Sequence, residues 1–248
     1  MKIGTNEISK IYLGNTEISK AYLGGIEVYN GGGSGGGGGI DEHTILMLHL
    51  DDNTSNSSNY TFDYATGSTL SLTYQNGKFN KALQLMTSTG PCYFQYYNID
   101  QQFTINDEFT IDYWQYFSTS SLDYSYVQAS NSAGYRWSFK MLTGGYAQLF
   151  NGSSIQTSLS GVDSVINNNE WNHVAIIVKK GQYTKLFLNG NLFYEGTLPD
   201  YYLNTGIRSI SIYGSASNAS DHCYLDEIRF SNIARWTENF TPPTQPYS

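Results

Sequence analysis

Trp171-Asn172-His173-Val174-Ala175-Ile176-Ile177-Val178, then Lys180-Gly181, Thr184-Lys185-Leu186-Phe187-Leu188, Asn189-Gly190 and Asn191-Leu192-Phe193-Tyr194 form the stretch that decides the fold. Its first segment is the strongest strand pattern in the chain, an apolar run rich in Val and Ile that a turn signal closes. Asn189-Gly190 between two apolar runs is the pair that a two-residue type I′ hairpin turn selects, because both central positions need positive φ. Residues 171–194 therefore predict three consecutive antiparallel strands.

The same pattern recurs on both sides. Thr44-Ile45-Leu46-Met47-Leu48-His49-Leu50 is a buried strand candidate that ends at Asp51-Asp52-Asn53, and a polar loop runs through Asn59. Further strand candidates are Ala82–Met86, Cys92–Tyr97, Phe109–Phe117, Tyr124–Val127 and Tyr135–Met141. Gly144-Gly145 reads as a hairpin turn into Tyr146–Phe150, and Arg208–Tyr213 and Cys223–Phe230 complete the set. About a dozen short strands with no helical period predict an all-β domain, a two-sheet antiparallel jelly-roll sandwich over residues 41–248.

The first thirty residues are different. Gly4-Thr5-Asn6-Glu7-Ile8-Ser9-Lys10-Ile11-Tyr12-Leu13 is repeated as Gly14-Asn15-Thr16-Glu17-Ile18-Ser19-Lys20-Ala21-Tyr22-Leu23, with a degraded third copy from Gly24 to Tyr29. Each copy is a short β-prone run between turn signals and cannot bury its own apolar face. Residues 1–30 are thus expected to be a repeated β segment for anchoring or oligomerisation, the alternative being a small meander docked on the body. Residues 31–40 hold a glycine-rich joint, Gly31 to Gly39 interrupted only by Ser34. It reads as a tether or a closely packed multichain stem, and it also resembles an engineered linker.

Composition narrows the function. The 248 residues carry 13 Lys and Arg against 21 Asp and Glu, a formal charge of −8. Without a cluster of cations, a nucleic-acid partner is not expected. No apolar run reaches membrane-spanning length, so no membrane insertion is expected. Met1-Lys2-Ile3-Gly4 leads straight into the polar repeat, which predicts synthesis in a cytoplasm without a secretory leader. The 22 tyrosines, with abundant Asn, Ser and Thr, suit contact with sugars or proteins, and equally suit half-buried strand surfaces. Cys92 and Cys223 are expected to be buried free thiols rather than a disulfide framework.

Several stretches resemble the concanavalin A-like lectin/glucanase superfamily in its laminin-G-like or pentraxin-like form. They are Leu48-His49-Leu50-Asp51, Asn76-Gly77-Lys78-Phe79-Asn80-Lys81-Ala82-Leu83, Glu108-Phe109-Thr110-Ile111-Asp112-Tyr113-Trp114 and Trp171-Asn172-His173-Val174-Ala175. Leu186-Phe187-Leu188-Asn189-Gly190, Leu225-Asp226-Glu227-Ile228-Arg229-Phe230 and the run from Ala234 to Pro243 follow in the same order. The resemblance implies two curved antiparallel sheets packed face to face. The Lys-x-Tyr-Leu-Gly head is similar to amino-terminal repeats of bacteriophage tail-fibre and head-fibre proteins. That implies a virion surface protein, often a homotrimer, attached to other virion proteins through residues 1–30. It would display the lectin-like domain to a bacterial surface glycan or protein after synthesis in the host bacterial cytoplasm.

Chemistry separates this from the alternatives, a purely structural assembly module or a glycan depolymerase. Glycoside hydrolysis needs two carboxylates roughly 5 to 9 Å apart across a sugar bond. The superfamily's glucanases carry Glu-x-Asp-x-x-Glu on one strand, whereas here Glu108 and Asp112 stand without a third acid. No Gly-x-Ser-x-Gly elbow is present, and His49 and His173 read as scaffold, so an enzyme is not expected and no catalytic residue is assigned. No cofactor is expected beyond a possible Ca²⁺, for which Asp51, Asp52, Asp226 and Glu227 are the candidate ligands, because the first and last strands of the fold lie side by side. The alternative is that Asp226 and Glu227 hold Arg229 and turn amides. For a glycan, Tyr124, Tyr126, Tyr135, Tyr146, Tyr201 and Tyr202 offer aromatic faces, and Asn131, Asn151 and Asp200 offer hydrogen bonds.

Overall fold

The computed structural model describes residues 2–3, 6–7, 11–13, 16–18, 20–23, 26–30, 39–66, 72–84, 86–87, 90–102, 107–116, 126–141, 146–151, 156–197, 206–214 and 223–248. The chain divides into two compact units, Met1–Gly36 and Gly37–Ser248.

In the first unit the ten-residue repeat forms three antiparallel hairpins. β1 (Lys2–Ile3) pairs with β2 (Asn6–Glu7), β3 (Ile11–Leu13) with β4 (Thr16–Ile18), and β5 (Lys20–Leu23) with β6 (Ile26–Asn30).

The second unit is a two-sheet antiparallel sandwich. Sheet one runs in the order β20 (Asn191–Gly196), β19 (Tyr183–Leu188), β18 (Trp171–Lys179), β13 (Glu108–Tyr116), β22 (Tyr224–Ser231), β10 (Lys81–Gln84) and β9 (Thr73–Asn76). β7 (Thr44–Leu48) also pairs with β22, so the first and last strands of the body are neighbours. Sheet two runs β11 (Met86–Thr87), β12 (Gly90–Tyr97), β21 (Ser209–Gly214), β14 (Tyr126–Ser130), β15 (Arg136–Met141), β16 (Tyr146–Asn151) and β17 (Gln156–Ser160), with β8 (Asp63–Thr66) on β12. The helical segments among the described residues are one short turn, Ile99–Gln102, and a 3-10 turn, Val162–Ser164. Among the described residues no helix is long and apolar enough to cross a membrane.

The inner faces form one core. Sheet one contributes Leu46, Leu48, Phe109, Ile111, Tyr113, Val174, Ile176, Val178, Ile228 and Phe230, and sheet two contributes Phe94, Val127, Ala129, Trp137, Phe139, Leu149, Ile210 and Ile212. The two outer faces differ. A carboxy-terminal tail crosses sheet one and buries Ala175, Ile177 and Phe187 under Trp236 and Phe240, whose rings stack at 3.9 Å. β18 is therefore buried on both sides, which is why its sequence reads as an unbroken apolar run rather than as an alternation. Strand β16 carries no such cover and alternates.

The predicted hairpin turn forms as expected, with φ of 50° at Asn189 and 79° at Gly190. Gly190 is required twice, because a Cβ there would lie 2.0 Å from the Phe240 carbonyl oxygen. The turn is thus also a docking point for the tail, whose Phe240 amide donates to the Gly190 carbonyl at 2.9 Å.

Candidate ligand-binding face

Directly opposed residues of antiparallel neighbours project from the same face of a sheet, so register defines what the outer face of sheet two presents. One transverse row is Gln95, Ser211, Gln128, Ser138 and Phe150. A second is Tyr97, Ser209, Ser130 and Arg136. On the other side of the first row lie Tyr213 opposite Tyr126, and Lys140, Gln148 and Ser158. The face is therefore built of amides and hydroxyls with an aromatic pair among them.

Tyr126 and Tyr213 hold their ring centroids 5.0 Å apart at 31°. Two hydrogen bonds run within the face, Ser130 Oγ to Ser209 Oγ at 2.8 Å and Ser211 Oγ to Gln95 Oε1 at 3.4 Å. Ser138 Oγ, at the centre of the first row, is buried and has no hydrogen-bond partner among the described residues. A buried hydroxyl without a partner is costly unless something completes it. Burial raises the Tyr126 pKa and lowers that of Lys140, so both groups sit partly out of water.

The predicted ligand-binding residues scatter. Tyr126 and Tyr146 share this face, and Tyr146 is 56% exposed. Tyr135 packs partly against the core from the turn that joins β14 and β15. The buried side-chain oxygen of Asn131 accepts the amides of Ala133 and Tyr135 and closes that turn. Asn151 Oδ1 accepts from Thr184 Oγ1 and ties β16 to β19. Tyr124, Asp200, Tyr201 and Tyr202 lie outside the described residues. Sequence reasoning did not single out Gln95, Gln128, Ser138 or Ser211, because an isolated polar residue in a strand carries no local signal. Trp171 is half-buried, with its ring 5.8 Å from Tyr116 and 6.5 Å from Tyr224.

Three of the four acids proposed for Ca²⁺ accept hydrogen bonds from nitrogen groups of the chain. Asp51 accepts the Lys81 amide at 2.8 Å and Asn80 Nδ2 at 3.2 Å. Glu227 accepts His49 Nδ1 and the Tyr247 amide, each at 2.8 Å, and Asp52 is exposed. Asp226 accepts the Phe79 amide at 2.9 Å through Oδ2, while Oδ1 is buried without a partner. Calcium needs roughly six to eight oxygens, and among the described residues no group of three or more acids, histidines or cysteines is placed to hold a metal. Burial, with Glu227 and Asp51 nearby, instead raises the Asp226 pKa to about 8, so its carboxyl holds a proton at neutral pH. The expectation that Asp226 and Glu227 hold Arg229 is half corrected. They do hold backbone amides, but Arg229 pairs with Asp112.

Hydrolytic groups are not assembled either. Glu108 pairs with Lys179 at 3.2 Å, and Asp112 is fully buried beneath the tail. His173 is enclosed by Trp114, Trp236 and Phe240, with its amide bonded to Asn189. Cys223 is a buried free thiol that accepts from Gln115 Nε2 at 3.1 Å, and the Cys92 side chain lies outside the described ones.

Residues 88–239 match a family model, laminin G 3, described as the concanavalin A-like lectin/glucanases superfamily, and the chain belongs to that family. No curated protein sequence matches the chain. Among solved structures, botulinum neurotoxin type C is similar at 13% identity and a TM-score of 0.60, over 79% of this chain and 49% of that one. The serotype D ligand-binding domain follows at 16% and 0.59, over 79% and 48%. The binding domain of Paraclostridial Mosquitocidal Protein 1 gives 16% and 0.57, over 78% and 49%. The chain spans about half the length of these solved chains, and at such identities the likeness is one of fold.

These findings overturn the virion-fibre expectation and, with it, the tail- and head-fibre attribution. The resemblance leads to toxin receptor-binding domains and not to bacteriophage fibres. The head pattern that suggested a phage protein is a series of three short hairpins.

Proposed function

We propose that the Gly37–Ser248 unit is a non-enzymatic, lectin-like binding module and that it holds a glycan on the outer face of sheet two. The observation that carries this is the half-buried Tyr126–Tyr213 pair on a face whose register rows are otherwise amides, hydroxyls and basic groups. Aromatic faces take the apolar side of a sugar ring, and fixed polar groups select among its hydroxyls. The solved relatives support a receptor-binding reading. Botulinum neurotoxin type C depends on interaction with two ganglioside molecules to enter cells, and the serotype D domain was solved with N-acetylneuraminic acid.

The test is a glycan array probed with the full chain and with Tyr126→Ala. Binding that the substitution removes supports the reading. No binding by folded protein, or binding indifferent to Tyr126, overturns it. For the first unit we propose self-association through its three hairpins, which are too small to bury an apolar face alone. A monomeric mass for the full chain by light scattering would sink that assignment.

A further inference from the structure

The same face also indicates what kind of sugar it takes, an inference that rests on the glycan reading above. Arg136 and Lys140 project from β15 on either side of Ser138, two residues away in each direction, and so lie on the outer face with it. From β12 to β17 the described outward side chains include no acid: they are Gln95, Tyr97, the serines, the tyrosines, Gln128, Gln148 and Phe150. The carboxylate nearest in register is Asp63 on β8, opposite Tyr97. Four strand spacings separate its row position from Arg136, about 19 Å at ~4.8 Å per strand. Asp63 is in addition bonded to Asn98 Nδ2 at 2.6 Å. In a chain with 21 acids and 13 bases, a surface across six strands whose described outward side chains include two cations and no acid runs against the overall charge.

The cations also sit where a ligand would meet them. Arg136 is exposed and, among the described residues, forms no ion pair. Its charge is felt at the Tyr126 hydroxyl, where it opposes the burial that raises that phenol. Arg136 stands opposite Ser130, four residues along β14 from Tyr126, about 13 Å at ~3.3 Å per residue, a span that two or three linked sugars cover. A guanidinium offers paired donors that match a carboxylate or sulfate oxygen pair, and such charge-assisted bonds are about twice as strong as neutral ones.

We propose that the ligand is an acidic glycan, whose anionic substituent is bound by Arg136, while a ring of the same saccharide lies against Tyr126 and Tyr213 at the end of the face where Lys140 stands. The negative charge of the rest of the molecule then disfavours unspecific capture of polyanions and leaves this face as the attractive one.

The experiment measures binding of the full chain to immobilised polygalacturonate, polysialic acid, dextran sulfate and neutral dextran, at low and at physiological salt. The expected result is binding to one or more of the acidic polymers but not to dextran. Added salt weakens it, Arg136→Gln weakens it about tenfold, Arg136→Lys restores part of it, and Tyr126→Ala abolishes it. A carboxylate-only response identifies uronate-type or sialate-type sugars, and a sulfate-only response identifies sulfated ones. Thermal unfolding of Arg136→Gln is expected to match the parent, since the side chain is exposed. Binding to neutral glycans that Arg136→Gln leaves unchanged overturns the acidic assignment and keeps the glycan reading. Polyanion binding indifferent to both substitutions overturns the assignment as unspecific. If folded protein binds no glycan of either kind, the glycan reading falls, and the assignment falls with it.

Discussion

Asp112 and Arg229 face each other in register across β13 and β22, with Nε to Oδ1 at 3.0 Å and Nη2 to Oδ2 at 3.1 Å, and both side chains are completely buried. The Tyr247 hydroxyl donates to Asp112 Oδ2, and the guanidinium stacks 3.9 Å from the Tyr247 ring. Burial alone would raise the Asp112 carboxyl, but Arg229 and His173 hold it well below the usual carboxylate range. The pair pins the end of the chain over sheet one.

Removing one partner of a buried pair leaves the other uncompensated. Asp112→Ala is therefore expected to cost about 3–5 kcal/mol. Urea unfolding followed by tryptophan fluorescence measures this, and a loss below ~1 kcal/mol would contradict the latch.

Above pH ~6.5, where buried neutral His173 no longer opposes them, two groups are expected to make stability fall as pH rises. Asp226 has its folded pKa raised to about 8 by burial and neighbouring acids, against ~3.9 when unfolded. Between those values only the folded state holds the proton, so stability falls as pH rises through the window. His49, raised above 6.5 by its bond to Glu227, acts in the same direction, and its contribution is lost as pH climbs past its folded value. At the acid end, Arg235 draws Asp41 down to about 2 against the opposing effect of burial, so its stabilisation is lost as pH falls below ~4. The expected outcome for Asp226→Asn is a flatter profile from about pH 6.5 to 9. A profile that rises through that range in the parent protein would refute the assignment.

Gly190→Ala combines a strained positive φ with a clash against the Phe240 carbonyl. A loss of at least ~2 kcal/mol is expected, together with faster proteolysis of the tail after residue 232. Limited proteolysis with mass spectrometry reads this directly, and an unchanged digestion pattern would show that the turn does not anchor the tail.

Calcium is expected to leave the thermal midpoint unchanged, because Asp51 and Glu227 already bond to nitrogen donors. Scans with millimolar calcium and with a chelator compare the two states. A rise of several degrees with calcium would mean that these acids exchange their present partners for the ion.

Much of the sandwich was legible in strand patterns, since alternation and turn chemistry are local properties. The Asn189-Gly190 turn is the clearest instance. Strand β22 shows where local reading fails. Its register against β13 shifts between Asp112 and Trp114, and Glu227 takes φ of 51°. The irregularity sets Asp226 opposite Trp114 and Arg229 opposite Asp112, three positions apart yet facing the same side. Strict alternation would have put them on opposite faces. For the binding face, Tyr126 and Tyr146 were visible as tyrosines near turns. Gln95, Gln128, Ser138 and Ser211 became a row only when four strands distant in sequence came into register.

The sequence by itself determined that residues 41–248 form an antiparallel sandwich and that acids and histidines are too sparse to spell a familiar active site, because propensity, turn preference and motif spacing act between near neighbours. Only the tertiary structure decided which sheet is covered by the tail, which acid meets Arg229 and which polar residues share a face. Those outcomes depend on contacts between positions more than a hundred residues apart, as in the 117-residue separation of Asp112 and Arg229, and such contacts are selected by packing and desolvation of the whole core rather than by any local pattern.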